Sequence, residues 1–222
     1  MTEHRVTPHA RPNRTAFILL FTVLIVGLVL TGLALMRTVG ESLQTAVPTP
    51  QIEGITAIVP PDPLPDFTLT GLDGQPTSLS DFNGRYLILF FGYTHCPDFC
   101  PLTLAEYTQV KRELGDDAAQ FAFLFVSVDG ERDTPEALAN YVTRFDPDFY
   151  AMTGDEQSIR ALGQPYGLYF TLNKEADDDD DYTVDHSTLS YVIDPEQRLH
   201  AVISFSTEPA VITDYLRSLG AG

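Results

Sequence analysis

Phe90–Leu104 reads FFGYTHCPDFCPLTL and holds both cysteines of the 222-residue chain, Cys96 and Cys100. They stand at C-x-x-x-C spacing, each followed by a proline, directly after an apolar run. That run, apolar at nearly every position from Tyr86 to Phe91, has the pattern of a strand buried on both faces. The stretch that follows, LTLAEYTQVKREL, places apolar residues at Leu102, Ala105, Val110 and Leu114 and predicts a helix closed by Gly115. Both thiols therefore fall at a strand-to-helix turn, where helix N-terminal amides favour thiolate over thiol. Residues i and i+4 of such a turn lie on one face about 6 Å apart, near enough for a disulfide or for two sulfurs to hold one ion.

Working outward, DFTLTGLDGQPTSLSDFNG alternates and turns at Asp73-Gly74, the signature of a β-hairpin. FAFLFVSVD is a second fully apolar strand. DTPEALANYVTRF is a helix entered through Thr134 as N-cap with Pro135 at its first position, and Asp155–Tyr166 suggests another. STLSYVID and LHAVISF flank Pro195-Glu196-Gln197 as a hairpin, and EPAVITDYLRSL supplies a last helix. The expected fold is α/β, a thioredoxin-like layout with a central mixed sheet and helices on both faces. The acidic stretch Glu175–Tyr182, with Asp177 to Asp181 in a row, reads as a solvated loop.

Thr15–Met36 carries no charge and is long enough to span a bilayer core of about 30 Å at about 1.5 Å per residue. Arg5, Arg11 and Arg14 precede it, and after Arg37 the next basic residue is Arg85. That asymmetry puts the N-terminus inside. The expected organisation is a cytoplasmic arm (1–14), a transmembrane anchor (15–36), a Pro- and Thr-rich tether (37–63) and one domain (64–222). The domain then lies on the outer, periplasmic side of the cell's inner membrane, where disulfides persist. A cleaved signal peptide would have a shorter apolar core. A formal charge of −18 excludes nucleic acid as a partner, because polyphosphate is repelled from most of such a surface.

A permanent disulfide between Cys96 and Cys100 would close a very small loop and stabilise little. Redox work or metal binding is the better use of the pair. Thioredoxin-type redox sites use C-x-x-C, and the extra residue here widens the pair towards a metal site. Two thiolates suit Cu(I) or zinc but are too few for a closed zinc site or an iron-sulfur cluster, so a further donor is required. Among the five histidines, His4 and His9 fall on the cytoplasmic side, His95 adjoins Cys96 as a local exposed residue, and His200 sits mid-strand. His186 remains, at a loop-to-strand junction that spacing alone does not bring to the cysteines.

The chain resembles the Sco/SenC family of copper-binding, membrane-anchored thioredoxin-fold proteins that help assemble cytochrome c oxidase. The resemblance runs from about Leu64 to Leu219 and rests on YTHCPDFCP, SVDGERDTPEAL and VDHSTLSYVIDPEQRL. It implies copper, Cu(I) or Cu(II), as the bound metal, with Cys96, Cys100 and His186 as its ligands and Asp98 inside the same motif. It implies as partner the dinuclear copper site of oxidase subunit II, or another cuproprotein apo-site. A copper metallochaperone with no catalytic turnover is the leading expectation. A thiol-disulfide reductase using the Cys96/Cys100 pair is the alternative, and a peroxiredoxin-like peroxidase fits the spacing poorly. Gly130 stands where the family often has proline, which suggests a less constrained loop after Asp129.

Overall fold

The computed structural model describes residues 22–33, 36, 52–175 and 178–220, and it divides the chain into two units, Met1–Pro48 and Thr49–Gly222. In the first unit residues 22–33 are helical (α1) and expose Val23, Leu24, Leu28 and Leu30. Among the described residues no helix is long and apolar enough to cross a membrane. Residues 15–21 and 34–35 of the expected anchor, the arm with His4 and His9, and the tether up to residue 51 lie outside the described residues.

The second unit is organised around β4 (Tyr86–Gly92) and β5 (Phe121–Ser127), which pair in parallel from Tyr86↔Phe121 to Gly92↔Ser127. Successive strand side chains point to opposite faces. Leu87 to Phe91 and Phe121 to Val126 are all at most 4% exposed, so both faces of these strands are covered. The eight-stranded sheet runs β1-β10-β9-β4-β5-β6-β2-β3, where β1 is Ile55–Pro63, β2 Thr68–Gly71, β3 Pro76–Ser78, β6 Tyr150–Thr153, β9 Ser190–Ile193 and β10 Arg198–Ile203. Its β4-β5-β6 pairings are parallel and the others antiparallel.

The helix between β4 and β5, α2 (Phe99–Leu114), buries Cys100, Leu104, Tyr107, Val110 and Leu114. It is tied to the last helix, α5 (Pro209–Gly220), where the Thr213 hydroxyl donates to the Glu113 carboxylate at 3.0 Å. The cap expected at Thr134 forms: its hydroxyl accepts from the Ala137 amide, and Pro135 opens α3 (Pro135–Val142). Asp155 caps α4 (Glu156–Gly163), which continues as a 3-10 turn to Tyr166.

Three expectations are corrected. Residues 55–63, assigned to the tether, form β1 and pair antiparallel with β10. The prolines at 60, 61 and 63 disguised it, yet they are tolerated because β1 is an edge strand. A chain starting at residue 60 would lose Ile55, which is 5% exposed. It should melt roughly 3–12 °C below a chain starting at Thr49, since burying one such side chain is worth about 1.5–3 kcal/mol. Equal melting temperatures for the two would mean that β1 adds nothing.

The second correction concerns the stretch read as a solvated loop. Its described residues, 175 and 178–182, belong to a separate two-stranded antiparallel sheet, β7 (Phe170–Glu175) with β8 (Asp178–His186). The alternation Tyr182, Val184, His186 carried that signal, and Tyr182 and Val184 are buried. Third, Gly130 is not a loosened position. A side chain there would overlap the carbonyl oxygen of Gly154, so the loop after β5 is packed backbone to backbone against the residue following β6.

Candidate metal centre

Strand β4 ends at Gly92, and the chain turns through Tyr93, Thr94 and His95 into α2. Gly92 is required there by space: a Cβ would come within 2.8 Å of the Cys100 Sγ and 2.7 Å of the Phe125 ring. The Cys100 thiol thus sits over the end of the strand, fully buried, with Cys96 four residues earlier, ahead of the helix, and 8% exposed. The Cys100 amide donates to the Cys96 Sγ at 3.4 Å, as expected for a sulfur at a helix N-terminus. Pro101 occupies the first turn of α2 and removes an amide that would have no partner in the helix.

The turn is held from below by Asp133, which is fully buried. Its carboxylate accepts from the Thr94 amide at 2.9 Å, from the Thr94 hydroxyl at 2.5 Å and from the Ser127 hydroxyl at 2.6 Å. Burial pushes the Asp133 carboxyl above its ordinary value, opposed by those hydrogen bonds. Ligand chemistry in the sequence does not single out this residue; the two aspartates of SVDGERD, Asp129 and Asp133, are its only signal.

His186 comes from the end of β8. Its Nδ1 lies 2.8 Å from the Ser187 carbonyl oxygen, so a neutral ring donating there leaves the Nε2 lone pair free. Nε2 is 3.5 Å from the Cys100 Sγ. The ring stands edge-on to Phe90 and Tyr93, at centroid distances of 6.2 and 5.8 Å. One donor atom each from Cys96, Cys100 and His186 lie within 4.8 Å of one another, and among the described residues this is the only such cluster of potential metal ligands. Neither thiol is in a disulfide.

The other two histidines among the described residues stay apart from the cluster. His95 is largely exposed, with its Nδ1 3.0 Å from the Thr94 hydroxyl and 3.8 Å from Asp133. His200 on β10 packs against the rings of Tyr86 and Tyr215. Asp98 is exposed at the N-cap of α2 and makes no side-chain cap bond.

The two sulfurs are not equivalent. Hydrogen bonding from the Cys100 thiol, with further help from His186 and the turn amides, holds Cys96 down at about 3 despite its burial. The same hydrogen bond, together with burial, pushes Cys100 well above the ordinary thiol range. The metal-free pair therefore carries one negative charge, on Cys96, and one proton, on Cys100. Cys96 and His186 line a cleft of about 320 Å³ with Tyr93, Pro97, Phe99 and Val184, while Cys100 lies behind them. A larger hollow of about 660 Å³, beside Arg85, Lys111 and Phe149, lies at the opposite ends of β4 and β5 and contains no ligand cluster.

This asymmetry sets a pH dependence. Because the Cys96 pKa is lowered, its thiolate persists until the pH falls towards about 3. Alkylation of the metal-free chain should give one adduct, on Cys96, at a rate nearly flat between about pH 5 and 8. A rate climbing about tenfold per pH unit through neutrality, as for an ordinary thiol, would contradict the assignment.

A family model described as SCO1/SenC matches residues 58–220. The chain is 38% identical over 132 residues to the human protein SCO1 homolog, mitochondrial; the match covers 59% of this chain and 44% of that protein, so the chain spans less than half the length of that relative. It is 30% identical over 152 residues to the SCO2-like protein of Rickettsia felis, covering 68% of this chain and 74% of that one. The structure of Bradyrhizobium japonicum ScoI with copper bound is similar at a TM-score of 0.64 and 35% identity, over 70% of this chain and 98% of the other.

Proposed function

The chain belongs to the SCO1/SenC family, and on that premise we propose that Cys96, Cys100 and His186 bind one copper ion, which the protein carries to a cuproprotein. The observation that carries this reading is the convergence of two sulfurs and an imidazole nitrogen within 4.8 Å at the back of a cleft. The donor set fits copper. Soft thiolates favour Cu(I), the borderline nitrogen makes Cu(II) tolerable, and three ligands without a fourth leave a position through which an acceptor can enter. Entry is from the Cys96 and His186 side, because Cys100 is sealed by the core.

The acceptor, in this proposal, is the dinuclear copper site of cytochrome c oxidase subunit II, placed outside the membrane to which residues 15–36 anchor the chain. The arginines at 5, 11 and 14 set the inward N-terminus. Transfer through shared ligands explains why the site belongs on an exposed cleft. Copper analysis and visible absorption of the reduced chain, before and after copper is added, test the reading. One equivalent bound with sulfur-to-copper absorption is the expected result, and no uptake by fully reduced protein would end it.

A second reading is supported by the inequivalent thiols. Cys96, a thiolate at the cleft, could attack a partner disulfide to form a mixed disulfide and release one partner thiolate. Cys100 would then displace the second partner sulfur, leaving Cys96 and Cys100 oxidised and the partner reduced by two electrons. This reductase needs no third metal ligand and draws on His186 only as a secondary hydrogen-bond partner of Cys96, whereas the copper site loses a donor without it, so that histidine is the discriminating residue.

A further inference from the structure

We propose that Arg132 is a positioning residue for His186, and that the loop Asp129–Asp133 is the common mount holding the two halves of the metal site at a fixed separation. The inference rests on the copper reading for its chemical consequence, although its geometric part stands on the metal-free chain.

The thiols and the imidazole come from parts of the chain that are not hydrogen-bonded into one sheet. Cys96 and Cys100 ride on the core through β4 and α2, whereas His186 ends a two-stranded sheet separate from the eight-stranded one. An isolated two-stranded hairpin is marginal on its own. In sequence β8 opens with four consecutive acids, Asp178 to Asp181, which repel one another. Something other than a strand ladder must therefore hold β8 against the body.

Arg160 of α4 holds Phe170 of β7, opposite His186, through its carbonyl oxygen at 3.2 Å and its ring at 4.0 Å, but the side-chain contacts of β8 itself at Tyr182 converge on one loop. Tyr182, Val184 and His186 alternate, so they share one face of β8. Tyr182 is 4% exposed and its hydroxyl donates to the fully buried Asp129 at 2.5 Å. The Arg132 guanidinium lies 3.5 Å over the Tyr182 ring, donates to the Asp129 carboxylate at 2.6 Å and donates to the Tyr182 carbonyl oxygen at 2.8 Å. One side chain thus grips the ring and the backbone of β8 while neutralising the buried carboxylate that receives the Tyr182 hydroxyl. It also lies 5.9 Å from the Tyr93 ring, the same ring that the His186 imidazole meets edge-on. Lys174 of β7 adds a tie to Glu131 and lies 4.9 Å over the Tyr182 ring.

The other end of the same loop grips the thiol half. Asp133 accepts both Thr94 donors, two residues before Cys96, and its own amide donates to the Asp129 carbonyl oxygen at 2.9 Å. Gly130 between them is locked against the backbone of Gly154. Asp129 and Arg132 therefore set where the nitrogen stands, Asp133 sets where the sulfurs stand, and the short span between them is rigid. From Tyr182 to His186 is about 13 Å of strand, so slack at Tyr182 is delivered to the imidazole.

The test is Arg132→Gln in the full chain. Cu(II) affinity should fall by about 10–100-fold, the range for an outer partner of a metal ligand, and the sulfur-to-copper absorption should shift. Cu(I), held by the two thiolates, should change far less. In the metal-free variant the amides of Thr183 and Asp185, which face β7 in the ladder, should exchange faster while those of Leu87 to Phe91 keep wild-type rates, which a general loss of stability would not produce. Unchanged Cu(II) affinity and spectrum would overturn the proposal. If the wild-type chain takes up no copper, the copper reading fails, and the exchange rates alone decide whether Arg132 holds β8. If Arg132→Gln does not fold, Tyr182→Phe replaces it: this keeps the packed ring and removes only the bond to Asp129, so a smaller shift in the same direction supports the proposal and none overturns it.

Discussion

Oxidation of Cys96 and Cys100 to a disulfide should abolish copper binding at this site: the reduced chain takes up one ion and the oxidised chain none. The two states compete for the same electron pairs. A metal needs both sulfurs as thiolates, and a disulfide has consumed them. The sulfurs are close enough for either outcome, within 4.8 Å of each other, with the Cys100 amide bonded to the Cys96 Sγ. Bonding them requires only closure of that gap and the loss of two electrons and one proton, because Cys96 has already given up its own. Copper should conversely protect the pair, so oxidation of the copper-loaded chain should be slower than that of the metal-free chain. Both effects are read by counting bound copper and free thiols in the same samples. Stoichiometric copper uptake by fully oxidised protein, or oxidation at the same rate with copper bound, would mean that the ion is held elsewhere.

That competition was partly legible in the amino-acid sequence. The apolar runs of β4 and β5 read directly as strands because every position but Tyr86 is buried, and no alternation is needed to recognise them. A strand, a C-x-x-x-C turn and a helix then put both thiols at one point of the fold. What could not be read was distance across the chain. His186 is 86 residues from Cys100, and its approach depends on β8 folding back through Tyr182 onto Asp129 and Arg132, contacts to which local periodicity is blind. Gly130 misled because a missing side chain reads locally as freedom, whereas here it permits a close backbone approach to Gly154. Gly92 carries the same lesson in the site itself, since its bare Cα makes the space that the Cys100 sulfur occupies. The resemblance to a family supplied His186 as a ligand; the geometry supplies the reason that this histidine, and not His95 or His200, meets the sulfurs.

Changing His186 to alanine separates copper from thiol chemistry. In the proposed copper site the imidazole is one donor of three, and its Nε2 stands 3.5 Å from the Cys100 Sγ. Its loss should weaken Cu(II) by more than the about 10–100-fold expected for an outer partner, because a bond to the metal itself is removed. The sulfur-to-copper absorption should change with it. Cu(I) should suffer less, since two soft thiolates can hold it alone. The truncation is tolerable to the fold: the ring is half-buried at the cleft, and β8 stays pinned through Tyr182 and Val184. Cys96 and Cys100 should still form their disulfide, and reduction of a model disulfide by the pair should persist, slowed only by the loss of the secondary hydrogen bond to Cys96, because its main partner, the Cys100 thiol, remains. Unchanged Cu(II) affinity and spectrum in a folded His186→Ala chain would remove His186 from the site and leave the dithiol pair as the functional unit, which is the reductase reading. A large loss of Cu(II) with intact dithiol chemistry would instead assign the histidine, and the hairpin that carries it, to copper.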